Sequence, residues 1–213
     1  MIEDDHTIFI VDDDDRMREA LCELMASRSL RAVSFGAVSE YMNFSKLDLP
    51  SCLLLDVELP DINGLDFQEQ IAGEQHPPII FITAHGDIPA SVRAIRNGAI
   101  DFLTKPFIES ELLEAIRIAI AQDRISRLAR VELTKLQHCL SSLTPREREV
   151  LPLVVSGLLN KQAAAELGIS EVTLQIHRSK IMHKMEAGSL ADLVRFAEKL
   201  QIPSAWDRRS DTS

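Results

Sequence analysis

Five short apolar runs alternate with stretches of helical periodicity across the first 108 residues, and this alternation restricts the folds open to the chain more than any other feature. The runs fall at 7–11, 32–35, 52–55, 79–83 and 101–103, with amphipathic stretches at 16–27, 38–44, 64–73 and 89–97. In the first of these stretches Met17, Leu21, Leu24 and Met25 recur at helical spacing. Strands joined in this way by helices predict an α/β doubly wound, five-stranded parallel sheet. The site of such a sheet lies beyond the carboxyl ends of its strands, so the polar residues that follow each run become the ones to read.

Those positions hold Asp12, Asp13, Asp14 and Asp15 after the first run, Asp56 after the third, Thr83 at the end of the fourth and Lys105 just past the fifth. Carboxylates that converge on one crevice repel and raise one another's pKa, an arrangement that makes sense around a hard divalent cation such as magnesium or manganese. Asp14 and Asp15 also suit the N-terminus of the next helix, where carboxylates accept from free N–H groups.

Composition removes other classes. The chain is 46% hydrophobic and 26% charged over 213 residues, which excludes disorder as the default. No apolar run approaches the roughly 18 to 20 residues of a membrane span. Met1-Ile2-Glu3-Asp4-Asp5 has acid where a secretion signal needs base, so a cytoplasmic protein without a membrane partner is expected. Cys22, Cys52 and Cys139 are far apart and form no Cys-x-x-Cys pair, which supports neither a disulfide framework nor a zinc site. The net charge of −10 is uneven: residues 1–108 hold 8 basic and 19 acidic side chains, whereas residues 143–213 hold 10 and 9. Two domains with different partners are implied.

The segments Ile8-Phe9-Ile10-Val11-Asp12-Asp13, Leu54-Leu55-Asp56-Val57-Glu58-Leu59-Pro60-Asp61-Ile62-Asn63-Gly64, Ile82-Thr83-Ala84-His85-Gly86-Asp87 and Asp101-Phe102-Leu103-Thr104-Lys105-Pro106-Phe107 resemble the receiver domain of bacterial two-component response regulators in order and spacing. The resemblance implies that Asp56 is the phosphoacceptor. It also implies that Asp12, Asp13, Asp56 and the main-chain carbonyl of Val57 hold magnesium, that Lys105 pairs with the phosphoryl group, and that Lys105-Pro106 is cis. Thr83 and the aromatic at Phe102 are the implied switch residues. Phenylalanine here departs from the family's commoner tyrosine, so the switch cannot use a phenolic hydroxyl. Glu58 and His85 flank the phosphoryl group by the same analogy.

Residues 109–141 contain no glycine or proline, and 33 residues can form a helix of about 50 Å. Its second half carries Leu133, Leu136, Leu140 and Leu143 at coiled-coil spacing, a stripe that can equally pack against the chain's own second domain. Thr144-Pro145-Arg146-Glu147 then marks a helix start, with a threonine cap, proline at the first position and glutamate three residues after the cap. Further helices are signalled over 160–167, over 170–185 and from Ser189 to Gln201, and Leu167-Gly168-Ile169-Ser170 is a turn of helix-turn-helix type. Segments 143–151, 160–164 and 173–178 resemble the LuxR/NarL DNA-binding domain, and with a continuous helical linker the whole chain resembles the FixJ subfamily. The expected domains are a receiver over 1–122, a helical linker over 123–142, a four-helix helix-turn-helix domain over 143–202 and a flexible tail over 203–213.

At about 100° per residue, Leu174, His177, Ile181 and Met185 form the buried stripe of the 170–185 helix. The opposite face holds Ile176, Ser179, Lys180 and His183, flanked by Thr173, Gln175 and Lys184. Ile176 suits a thymine methyl and Gln175 suits adenine, while Lys161, Lys180 and Lys184 suit phosphates. The final helix, with Leu190, Leu193, Val194, Ala197 and Leu200, has more apolar surface than a terminal helix requires; in the family it supplies the dimer contact on DNA.

The reading is a transcription factor that a sensor histidine kinase phosphorylates at Asp56, after which it forms a homodimer on promoter DNA and engages RNA polymerase. It is not an enzyme beyond chemistry on its own aspartate. A rival, a phosphatase with an aspartyl-phosphate intermediate, needs a second aspartate two residues after the nucleophile, where Glu58 stands. A second rival, a constitutive DNA-binding protein, does not explain why Asp12, Asp13, Asp56, Thr83 and Lys105 are all present.

Overall fold

The computed structural model describes residues 6–203, so the acidic start and the tail expected over 203–213 lie, apart from Pro203, outside the described residues. The chain divides into two compact units, Met1–Arg127 and Leu128–Ser213.

In the first unit five parallel strands, β1 (Thr7–Val11), β2 (Ala32–Phe35), β3 (Ser51–Leu55), β4 (Ile79–Thr83) and β5 (Asp101–Thr104), lie in the order β2-β1-β3-β4-β5. The helices α1 (Asp15–Ser27), α2 (Val38–Asn43), α3 (Gly64–Gln70) and α4 (Ile88–Arg96) connect them. The helix α5 (Glu109–Ser141) follows β5 and runs on into the second unit. Successive side chains of a strand point to opposite faces, and the three central strands are buried on both. Phe9, Val11, Leu53, Leu55, Ile79 and Phe81 pack on one face with α2, α3 and α4; Ile8, Ile10, Leu54, Ile80 and Ile82 pack on the other with Leu21, Leu112, Ile116 and Ala119 of α1 and α5. This double burial explains why the runs read as continuously apolar.

β3 starts at Ser51, one residue before its apolar run. Its first N–H donates to Asp123 Oδ2 at 2.8 Å, and Arg127 Nε donates to the same oxygen at 2.7 Å. Arg127 also pairs with Asp48. Residues 123–127, expected to open a separate linker, are therefore tied to the first unit.

The second unit contains the end of α5 and the helices α6 (Pro145–Val155), α7 (Asn160–Glu166), α8 (Glu171–Lys184) and α9 (Leu190–Lys199). Its core gathers Val150, Leu151, Ala163, Leu174, Ile181, Met185 and Leu193 together with Cys139 and Leu143. Leu136 is 4% exposed and Leu140 packs against this core. The end of the expected linker is thus structural in this unit, and Leu140 and Leu143 of the leucine stripe are taken up by its core. The surplus apolar face expected on α9 is likewise mostly absorbed: Leu193 and Ala197 are buried, Leu190 and Leu200 pack on the core, and Val194 is half-buried. The caps agree with the sequence signals. Thr144 and Glu147 form a reciprocal capping box, and Ser170 and Ser189 accept from Thr173 N and Asp192 N.

Candidate functional site

β1 and β3 are parallel neighbours in register, with Val11 opposite Leu55, so the next residue of each strand places Asp12 beside Asp56. Both are buried, at 2% and 6% exposure. Asp13 is exposed at the rim, and one ligand oxygen from each of Asp12, Asp13 and Asp56 lies within 4.8 Å of the others. Val57 O accepts from Gly64 N at 2.8 Å, which leaves its second lone pair available. The three carboxylates make an all-oxygen donor set, which fits a hard divalent cation.

Lys105 follows β5, and its N–H donates to Thr83 O at 2.8 Å. Its Nζ lies 2.6 Å from Asp12 Oδ2 and 2.7 Å from Asp56 Oδ2. The Lys105-Pro106 peptide is cis, as the resemblance implies. Burial pushes the Asp56 carboxyl up, and hydrogen bonds from Lys105 and from Glu58 N oppose that rise without cancelling it. For Lys105 burial acts downward, but the bonds to Asp12 and Asp56 outweigh it and hold the ammonium above its ordinary value.

Thr83, wholly buried, ends β4 next to β3, and its Oγ1 accepts from His85 N at 3.3 Å. Phe102 on the adjacent β5 is half-buried against Phe81, with ring centroids 6.0 Å apart. Thr83 stands at the same end of the sheet as the carboxylates, and Phe102 lies on the neighbouring strand opposite Phe81, two residues back from that end.

Two contacts at this crevice escape sequence reasoning. Arg18 Nη1 donates to Asp12 O at 2.6 Å, and its guanidinium also pairs with Asp15. His85 Nδ1 lies 3.3 Å from Glu58 Oε2, which joins the two residues expected to flank the phosphoryl group. Only the spacing of Arg18 one turn into α1 could have hinted at the first.

In the second unit Gln175, Ile176, Ser179 and Lys180 are exposed on α8, Thr173 is half-buried beside its cap, and Lys161 is exposed near the start of α7. His177 lies toward the core side, half-buried. Lys184 requires a correction. Its Nζ donates to Glu147 Oε2 at 2.7 Å and to Ser142 O at 3.1 Å, so its charge neutralises a buried carboxylate and is not presented to phosphates. The physical reason is that a buried carboxylate needs a paired cation more than a solvated surface does. Val172, which the sequence reading omitted, is exposed on the same face as Ile176. Its position four residues before Ile176 is the signal that could have found it.

Residues 8–117 match the response regulator receiver domain, and residues 141–197 match the bacterial regulatory proteins of the luxR family. Nodulation protein W of Bradyrhizobium diazoefficiens is 48% identical over 196 residues, covering 92% of this chain and 86% of that protein. Transcriptional regulatory protein FixJ of Azorhizobium caulinodans is 36% identical over 201 residues, 94% of this chain and 95% of that protein. Among solved structures, the response regulator StyR superposes with a TM-score of 0.78 at 45% identity, covering 91% of this chain and 98% of that one. Full-length FixJ from B. japonicum gives a TM-score of 0.52 at 33% identity, covering 92% and 97%. With a receiver sheet ending in an acidic crevice and a helix-turn-helix unit following it in sequence, the chain belongs to the two-component response regulators that join a receiver domain to a LuxR-type DNA-binding domain.

Proposed function

We propose that Asp56 accepts a phosphoryl group from a sensor histidine kinase in the cytoplasm, and that the phosphorylated chain forms a homodimer that presents α8 to promoter DNA and engages RNA polymerase. The observation that supports this most is the convergence of Asp12, Asp13 and Asp56 with the Lys105 ammonium, 2.7 Å from Asp56 Oδ2. A carboxylate oxygen of Asp56 attacks phosphorus, an O–P bond forms, and the N–P bond to the kinase histidine breaks with the imidazole leaving. Lys105 stabilises charge on the transferred oxygens from the ion pair it already makes. Magnesium or manganese, held by Asp12, Asp13, Asp56 and the Val57 carbonyl, would supply further neutralisation of that charge. Thr83 then donates its hydroxyl to a phosphoryl oxygen, and Phe102 turns into the space this opens, which changes the surface around α4 and β5. Glu58 and His85 tune hydrolysis of the acyl phosphate, a reaction that, like its formation, takes place on the chain's own side chain. On the DNA side Gln175, Ile176, Ser179 and Thr173 face bases, and Lys161 and Lys180 neutralise phosphates.

Incubation with acetyl phosphate and magnesium should add the mass of one phosphoryl group. The Asp56→Asn variant should not be labelled; equal labelling of that variant would remove the assignment.

A further inference from the structure

Two apolar side chains stand on the face of α8 turned away from the core. Val172 is 67% exposed and Ile176 is 51% exposed. At about 100° per residue they share a stripe with Ser179 and His183, opposite the buried Leu174, Ile181 and Met185. One helical turn apart, their Cβ atoms lie about 5–6 Å from each other. No carboxylate falls on this stripe, and Lys180 at its edge adds positive charge. A single exposed valine requires no explanation, but this pair has a chemical counterpart. Among the hydrogen-bonding groups on the base edges of the major groove, the thymine C5-methyl is the apolar one.

We infer that Val172 and Ile176 read two thymine methyl groups, one or two base-pair steps apart, so that the chain selects its DNA by apolar contact as well as by hydrogen bonding. The inference rests on the reading of α8 as the DNA-facing helix and adds Val172 to it. Both side chains are β-branched and hold essentially one χ1 rotamer in a helix. Their methyl groups are therefore placed before DNA arrives, and little side-chain freedom is lost on contact.

The test uses the full-length chain, treated with acetyl phosphate and magnesium, to select duplexes from a random-sequence pool. Each thymine of the recovered half-site is then replaced by uracil, which lacks only the methyl. Two positions should each lose about fourfold in affinity on that replacement. Val172→Ala should abolish the uracil penalty at one position and Ile176→Ala at the other. Both variants should keep the parent Tm, because the sites are exposed and alanine favours the helix. Sequence-selective binding indifferent to uracil would overturn the methyl reading and leave α8 as the reading helix. A uracil penalty that neither substitution alters would overturn it as well, by assigning the contact to other residues. Failure to select any sequence would overturn both the inference and the proposed DNA-facing role of α8.

Discussion

Gly64 shows how tightly single positions are held around the acidic crevice. A Cβ at this position would stand 2.3 Å from Asp56 O, far inside contact distance, so the loop that returns from β3 can pass behind Asp56 only with hydrogen as the side chain. Gly64→Ala must shift either α3 or the Asp56 backbone, and should cost about 1–3 kcal/mol. A lower Tm together with slower labelling by acetyl phosphate is expected; unchanged values of both would contradict the packing argument. In the second unit Glu147 occupies a comparable position of constraint. It is buried, and although burial acts to raise its carboxyl pKa, hydrogen bonds from Lys184 and Thr144 outweigh that and hold it below the ordinary glutamate value of 4.5. A carboxyl with a depressed folded pKa stabilises the fold above its unfolded pKa and loses that contribution as pH falls through the folded value. Glu147→Gln should therefore cost about 1.5–3 kcal/mol near neutrality. The gap from the parent should narrow below about pH 4.5, as followed by denaturant unfolding; a gap that widens in acid would refute the charged pairing.

At the scale of elements, β4 and β5 set how the crevice can communicate with the surface. Thr83 closes β4 in register with Thr104, and Phe102 lies on β5 two residues before Thr104. A Cβ on Gly86, in the loop after β4, would come within 3.0 Å of Phe102 Cε1 and 2.3 Å of Thr104 Cγ2. The loop after β4, the Thr104 side chain and the Phe102 ring therefore share one packed corner. The main-chain carbonyl of Thr83 accepts from Lys105 N and its hydroxyl accepts from His85 N, so the hydroxyl is better placed to sense a phosphoryl group than to transfer it. Thr83→Ala should accept phosphate at near the parent extent yet lose most of the phosphorylation-dependent gain in dimer, read by analytical ultracentrifugation. A full gain in dimer from the variant would argue that the switch lies elsewhere. The strand positions were legible in the sequence because double burial leaves nearly unbroken apolar runs. The extension of β3 to Ser51 was not, because its hydrogen bond comes from Asp123, 72 residues later.

For the molecule as a whole, the division at Arg127 and Leu128 changes how the DNA-binding unit should be isolated. A fragment beginning at 143 loses Cys139 and Leu140, which pack in or against the core of that unit, together with the buried Leu136. Removing even one buried leucine costs about 2–5 kcal/mol, so fragment 143–213 should unfold well below fragment 128–213, as measured by thermal denaturation. Equal Tm values would show that the end of α5 is dispensable. Residues 1–108 hold 19 acidic against 8 basic side chains, and a field of that sign opposes the approach of DNA. Fragment 128–213 should accordingly bind a selected duplex at least as well as the unphosphorylated full-length chain. Much weaker binding by the fragment would assign the receiver the opposite role, that of holding two DNA-binding units together.

The sequence by itself determined the sheet, the order of motifs along it and the identity of Asp12, Asp13, Asp56, Thr83 and Lys105 as one constellation. Each depends on local periodicity or on position at a strand end, which a linear pattern records. It also determined the exposed face of α8, since 100° per residue is a property of the helix alone. Tertiary structure decided what each charged side chain does. Lys184 is turned from the DNA-facing set to Glu147, 37 residues away; Asp123 anchors the start of β3; Glu58 meets His85; and Leu140 and Leu143, whose stripe suited either a second helix or the chain's own second domain, are taken up by that domain's core. A long charged side chain can reach partners from several elements, and the one it takes is set by which buried group lacks a counter-charge, a quantity that exists only once the elements have packed.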